Sequence, residues 1–581
     1  MVLKTNFAKF QLIAATFIIS VAIYQPTLAF NYCAPTSLPG RTGPGPMASV
    51  AAVEAAYPTP TDHGYLGNLK FEQIILNGVR LAQIQFDFNP YATPALNDPY
   101  FKTLDMRKKA IILVPLQNPV ADAFAVSANL GISNGLGRSA DKDPLHSRDE
   151  LAPWWHGTLN GVDFKRSMAS VTTDYKVAIG FYDPIPNTIE FQPETKVALS
   201  TARQAKSTDQ CEYETCSRVL TQDGDIHNCL SDLGHIDSVV IPPSNPNRIN
   251  SLNLHSGIIS AIALKRFIDV SEIVLNRLRA QHYPNLPEFH FERVATSGGS
   301  KRGVASQGHL LIDPRVKAAW SGHSNLSNII DSMAARERVW DHTYYFSGYD
   351  SISFLLGRQE WLDRYDRAYY DPSIWVGKTL FLTSGLNDSY FQTGAELHYA
   401  DALPVNTRYF IQPNYPHGGG SYGHMVIWRN LVANMLNAAP MMQVEAAWDV
   451  DANKVYARVS DVVADKVELW CTTGPSQIAF GVPSLRHTDY PECAPVSNNY
   501  SSPPPDNRYS QYSKVDMQQQ GGHYVAVPPA ATGDYAQWQS CVVRAYKGLP
   551  EQVETTSKTL HNRAECDING LNISSTSGTQ F

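Results

Sequence analysis

The sequence predicts an α/β fold: a mostly parallel sheet with helices on both faces, followed by a smaller β-sandwich. Three observations lead there. Short continuous apolar runs such as KKAIILVPL, YKVAIGFYDPIP and GKTLFLTSG read as strands buried on both faces. Between them, SGIISAIALKRFIDVSEIVLNRLRAQ places Ile258, Ile262, Phe267, Val270, Val274 and Leu278 at near-helical spacing. Beyond Met441 the pattern changes to short alternating strands such as VEAAWDVDANKVYARVSDVV and GGHYVAVPP. Strands alternating with helices give a sheet covered on both sides, and a run of strands alone gives a sandwich.

Taken in order, residues 1–29 read as an export signal. Lys4 and Lys9 precede the apolar run FQLIAATFIISVAIY, and Thr27 and Ala29 fit the small-residue positions of a cleavage site after Ala29. The run is shorter than the roughly 20 residues a membrane span needs. The mature chain is therefore expected to be secreted or periplasmic, with no membrane span. Residues 30–62 form a Pro/Gly-rich lead-in. The main α/β unit is expected over 63–440, the β-sandwich over 441–550 and a polar tail over 551–581. LKFEQIILNGVRLAQIQFDF is a hairpin, with Asn77-Gly78 as its turn. FERVATSG, VKAAWSG, GKTLFLTSG and TRYFIQPN are strands; KRGVASQGHLLI and HMVIWRNLVANMLN are helices, the latter with Met425, Trp428, Val432 and Met435 on one face.

Composition narrows the function. The 581 residues are 43% hydrophobic and 17% charged, enough for a large core, and the formal net charge is −7. Basic residues are scattered, which argues against nucleic acid as a partner. There is no phosphate-cradling glycine motif and no cofactor is implied. The eight cysteines divide evenly, with Cys33, Cys211, Cys216 and Cys229 early and Cys471, Cys493, Cys541 and Cys566 late. An even count without a CxxC spacing favours disulfides over a metal site, as an oxidising compartment would. Cys471 and Cys541 sit in expected strands and are candidates to bridge the two sheets of the sandwich.

The chemistry centres on ATSGGSKRG. A strand, ERVAT, runs into a glycine-serine turn around Ser300, and a helix follows at once. This is the setting of a nucleophile elbow, where a sharp turn lifts a serine hydroxyl above the sheet. Gly298 occupies the position two before the serine. Arg302 stands two after, where a small residue is usual, and Gly303 follows one step later. A serine nucleophile needs a base, and the base needs an orienting acid. The fold order Ser, Asp, His is met by Asp388, after GKTLFLTSGLN, and by His417, after TRYFIQPNYP, with His424 as the alternative base. Backbone N–H donors for an oxyanion are expected from Lys301 and from the loop after IILVP, at Leu116 or Gln117.

The block GGSKRGVASQGHLLIDPRVKAAWSG resembles the signature of the PhoPQ-activated pathogenicity-related proteins, G-x-S-K-R-G followed by D-P-R-V. FYDPIPNTIEF, SNLSNIID, LTSGLNDSYFQTG, FIQPNYPH and VELWCTTG extend the resemblance. It implies an α/β-hydrolase core, export, and Ser300, Asp388 and His417 as the triad, and it supplies no substrate. The expected function is an exported serine hydrolase cleaving a small-molecule ester or a peptide. The alternative is a secreted binding or signalling protein that keeps the hydrolase fold without turnover. Trp154, Trp155 and His156 read as a packed aromatic cluster or a cleft lining. Asn325, Asn387, Asn499 and Asn572 begin N-x-[ST] sequons.

Overall fold

A computed structural model describes residues 65–76, 78–90, 101–128, 158–159, 162–184, 188–191, 256–323, 372–387, 396, 406–416, 421–438, 441–473, 511–531, 539–548 and 553–561. The expected export signal, Trp154, Trp155 and His156, the early cysteines, and Cys493 and Cys566 fall outside them. So do the sequons except Asn387, which ends a strand.

The first described elements are the hairpin strands β1 (Tyr65–Leu76) and β2 (Val79–Asn89). Leu76 pairs with Val79, and Gly78 takes φ +78° in the turn, a conformation that glycine adopts without steric cost. Next come β3 (Phe101–Asp105), β4 (Lys108–Pro115), β5 (Ala123–Ser127), the short pair β6 (Thr158–Leu159) and β7 (Val162–Asp163), α1 (Phe164–Tyr175), β8 (Ala178–Phe181) and β9 (Thr188–Phe191), which pairs with β3. The central part is α2 (Ser256–His282), β10 (Arg293–Gly299), α3 (Lys301–Ile312), β11 (Val316–Gly322), β12 (Thr379–Asn387), β13 (Arg408–Pro416) and α4 (Ser421–Met435). The remainder is all β: β14 (Gln443–Asp449), β15 (Lys454–Ser460), β16 (Lys466–Thr472), β17 (Tyr512–Asp516), β18 (Gln518–Gln520), β19 (His523–Ala526), β20 (Ser540–Lys547), β21 (Val553–Thr556) and β22 (Leu560–His561).

The main sheet is mixed, not mostly parallel. Strands β8-β5-β10-β11-β12-β13 are parallel neighbours. On one side β4, β2 and β1 continue the sheet antiparallel; on the other β21, β20, β16 and β17 do so. Hairpin-connected strands pair antiparallel, so only strands separated by a crossover contribute parallel pairs. Helices cover both faces, as expected. One core holds Phe267, Val270, Val274 and Leu278 of α2 with Ala305 and Leu310 of α3. The other holds Met168 and Val171 of α1 with Trp428, Val432 and Met435 of α4. No helix among the described residues is long and apolar enough to cross a membrane.

The C-terminal strands form two packed sheets, but one of them is the main sheet itself. The sheet β14-β15-β19-β18 packs Trp448, Val455 and Ala457 against Leu469, Cys471, Val543 and Ala545 of β16 and β20. Tyr409 of β13 pairs with Thr556 of β21 and makes the sheet continuous. Residues 553–561, expected in a polar tail, supply this join; Thr555, Thr556, Ser557 and Thr559 are buried. Cys471 and Cys541 are disulfide-bonded, as their strand positions suggested. They join directly paired residues of β16 and β20 within one sheet, however, not two facing sheets. Closing a loop of 70 residues removes chain entropy from the unfolded state corresponding to about 4 kcal/mol.

Candidate active site

Ser300 stands at the junction of β10 and α3 with φ 54° and ψ −124°. Side-chain and carbonyl clashes disfavour this backbone for any residue with a Cβ. Such conformations concentrate at active sites, where the surroundings hold them in place. Here the surroundings are specific. Ser300 N–H donates to the Gly322 carbonyl of β11 at 2.6 Å, and the Ser300 carbonyl accepts from Gly303 N–H at 2.8 Å and Val304 N–H at 3.1 Å. The serine side chain makes no capping hydrogen bond to the helix. The Lys301 amide heads α3, ahead of the intrahelical ladder, among the first-turn donors that helix geometry leaves for an anion.

Gly298 fits the turn for a steric reason. A Cβ there would lie 2.2 Å from the Arg302 carbonyl oxygen and 2.8 Å from the Arg302 Cβ. Gly298→Ala is therefore expected to cost more than about 3 kcal/mol, since backbone of the first helical turn must move. Thermal unfolding checks this; a variant within a degree of wild type would refute the contact. Gly303 is tied down instead of being an open approach point: Ser321 Oγ donates to its carbonyl at 3.1 Å.

Arg302, the departure from the small-residue pattern, has a structural explanation. Its side chain is buried and pairs with Asp183, just past β8, through Nε to Oδ1 at 2.9 Å and Nη2 to Oδ2 at 2.8 Å. Lys108 Nζ reaches the same Oδ2 at 2.8 Å. Reading the sequence did not find Asp183 or Lys108. The only signal was the arginine itself, a charge in a place that demands burial.

The far end of α3 is held by a second polar cluster. His309 Nε2 lies 3.3 Å from Asp313 Oδ2, and Arg315 bridges Asp313 and Asp269. Burial holds the His309 imidazole below its usual range, against the pull of Asp313. Burial also pushes the Asp313 carboxyl up, but hydrogen bonds from His309 and Arg315 outweigh it and keep the group ionised. Lys378 Nζ donates to the Leu310 carbonyl, and burial lowers its ammonium to about 8. Lys378 thus satisfies a carbonyl at the helix C-terminus, while the other groups pair with one another. His309 is nine residues along α3 from Ser300, about 13 Å at 1.5 Å per residue, so it is no partner for the serine.

The other expected site residues divide clearly. β12 and β13 run parallel to β10 and β11, so their C-terminal ends lie at the same end of the sheet as Ser300. Asp388 and His417, the residues immediately after these strands, lie outside the described residues. His424 is in the first turn of α4. Gln117 and Leu116 are misplaced as oxyanion donors. β4 runs antiparallel to β8, and Val120 N–H donates to the Lys176 carbonyl before β8 begins. Residues 116 and 117 therefore lie at the opposite end of the sheet from Ser300. It is β5 that points the right way: Ser127 pairs with Ser297, and Ala128 N–H donates to the Ser297 carbonyl at 2.8 Å.

Residues 277–480 match the PhoPQ-activated pathogenicity-related protein family. The PhoPQ-related match starts inside α2, takes in β10, Ser300, α3 and β11 to β13, and runs past β16 into the C-terminal strands. It thus reaches the VELWCTTG strand and leaves the N-terminal strands outside. No curated protein matches the chain. Among solved structures, the chain is similar to acetyl xylan esterase 1 from a Thermoanaerobacterium species, at 12% identity and TM-score 0.33, covering 68% of this chain and 95% of that one. It is similar to a glucuronoyl esterase from Solibacter usitatus at 11% identity and TM-score 0.34, covering 69% and 99%. Among the described residues no group of His, Cys, Asp or Glu is placed to hold a metal ion.

Proposed function

We propose that this protein is an exported serine hydrolase that cleaves an ester or amide bond through Ser300, His417 and Asp388. The observation that carries the reading is the backbone of Ser300, strained at φ 54° on a strand-to-helix turn. In the proposed reaction the Ser300 hydroxyl oxygen attacks the substrate carbonyl carbon while His417 takes its proton. Asp388 orients the imidazole, and the Lys301 N–H stabilises the oxyanion. Collapse of the tetrahedral intermediate breaks the bond to the leaving alcohol or amine, which receives the proton from His417. Water, deprotonated by the same histidine, then releases the acid from the acyl-enzyme. The disulfide between Cys471 and Cys541 supports export to an oxidising compartment.

A fluorophosphonate probe tests this on the purified mature chain. The expected result is one covalent adduct, mapped to Ser300 by peptide mass, and protection by competing activated esters. A well-folded chain that takes no label would sink the reading and favour a binding protein on a hydrolase fold.

A further inference from the structure

The C-terminal strands touch both β12 and β13, the strands that lead to the proposed acid and base. Between the pairs Gly385–Gln412 and Asn387–Pro416, β12 advances two residues and β13 four, so β13 bulges there. Asn414 sits in the bulge at φ 60°, in the left-handed region that asparagine tolerates better than most residues. Its side chain clasps the backbone of Tyr512, the first residue of β17. Nδ2 donates to the Tyr512 carbonyl at 3.0 Å, and Tyr512 N–H donates to Oδ1 at 2.8 Å. This pair of bonds copies the exchange that two residues make across an antiparallel ladder.

Tyr512 is itself buried, in an apolar cluster with Leu386 at the end of β12, Ile411 of β13 and Val542 of β20. Leu386 comes two residues before Asp388, and Asn414 three residues before His417. β17 is in turn fixed to the sheet: Thr472 pairs with Tyr512, Cys471 with Ser513, and Cys471 is bonded to Cys541. A continuous path of paired strands therefore runs from the disulfide to the ends of β12 and β13, just ahead of Asp388 and His417.

We infer that Asn414 is a positioning residue for the catalytic histidine, with the Tyr512 backbone as its seat, so that the C-terminal β-sheet is a working part of the active site. The inference rests on the reading of His417 and Asp388 given above. A bulge held only by its neighbours in β12 leaves the direction in which β13 ends free to shift. One held at Tyr512 has its direction set by a second element.

The test uses the full mature chain and two variants. Asn414→Gly keeps the left-handed backbone and removes both clasp bonds. Asn414→Asp keeps the acceptor for Tyr512 N–H and turns the donor into an acceptor facing a carbonyl. Readouts are the rate of fluorophosphonate labelling, kcat and KM for p-nitrophenyl acetate across pH, and Tm. The glycine variant is expected to lose about 10- to 100-fold in kcat and labelling rate, with KM within about threefold, as a misplaced catalytic group does. The acidic limb of kcat/KM should move to lower pH, because an imidazole drawn away from its carboxylate is harder to protonate. The aspartate variant should fall between, and serves alone if the glycine variant does not fold. A purely structural role would lower Tm and leave labelling rate and acidic limb unchanged. Either soluble variant labelling at the wild-type rate with the wild-type limb overturns the inference while the hydrolase reading stands. A wild type that takes no label overturns both.

Discussion

Replacing Ser300 by alanine will abolish fluorophosphonate labelling and lower turnover of an activated ester by roughly four to six orders of magnitude, the scale seen when a triad nucleophile is removed. Stability will tell a second story. Alanine carries a Cβ and inherits the same backbone at φ 54° and ψ −124°, so Ser300→Ala should unfold within about 0.5 kcal/mol of wild type. Glycine has no Cβ. Ser300→Gly relieves strain of about 1–3 kcal/mol and adds about 0.5–1 kcal/mol of chain entropy to the unfolded state. The net expectation is a dead enzyme about 1 kcal/mol more stable than the alanine variant. Thermal unfolding of the three proteins side by side decides it. A glycine variant that melts below the alanine variant would mean that the turn is not strained, and the main support for a nucleophile at Ser300 would be gone.

The parts of the fold that were legible in the sequence are those specified by local chemistry. Asn77-Gly78 marks a hairpin because few other dipeptides fit its turn, and Leu76 does pair with Val79. The apolar spacing of α2 and the strand–turn–helix at Ser300 are local in the same way. Strand direction is not local. KKAIILVPL announces a buried strand, and Ala110 to Val114 are fully buried, but nothing in an apolar run states which way it points. Gln117 therefore follows a buried strand, as an oxyanion donor would, yet lies at the end of the sheet opposite Ser300. Burial of polar residues is equally hidden. VETTSKTLH looks like solvent-exposed tail, yet three of its hydroxyls are paired within the fold: Thr555 Oγ1 donates to the Tyr409 carbonyl at 3.3 Å, Thr556 Oγ1 accepts Ile411 N–H at 2.9 Å, and Ser557 Oγ accepts Val543 N–H at 3.0 Å. Once these bonds form, threonine is a good strand residue, and the segment joins the C-terminal strands to the main sheet. The same blindness hid Asp183, a carboxylate whose partners lie 75 and 119 residues away.

Asp183→Ala is expected to be the most destabilising single substitution near the site after Gly298→Ala. The Asp183 side chain is fully buried and accepts from both Arg302 and Lys108, whose side chains are 8% and 13% exposed. Removing it takes the shared carboxylate from two cations where water has little access, and breaking a buried ion pair from one side costs about 3–5 kcal/mol. Arg302→Met in the Asp183→Ala background takes away one of those cations and fills its space with apolar atoms. It should recover part of the loss, because the desolvation cost of the Arg302 guanidinium disappears with it while Lys108 remains. A double-mutant cycle on unfolding free energies should then give a coupling of about 2 kcal/mol or more. A cost under about 1 kcal/mol for Asp183→Ala would show instead that solvent reaches the pair. The pair also bears on catalysis. In the sheet order β8-β5-β10, Asp183 follows β8 and Arg302 follows β10, so the ion pair reaches across the end of β5. The Ser300 turn is thereby tied in two directions, to β11 through Ser300 N–H on Gly322 and to β8 through Arg302. A small residue after the nucleophile would leave the second tie unmade. With arginine there, Gly298 supplies the missing space and Asp183 the missing charge. Loss of Asp183 should therefore lower the labelling rate of Ser300 in the fraction of protein that remains folded, and not merely reduce that fraction.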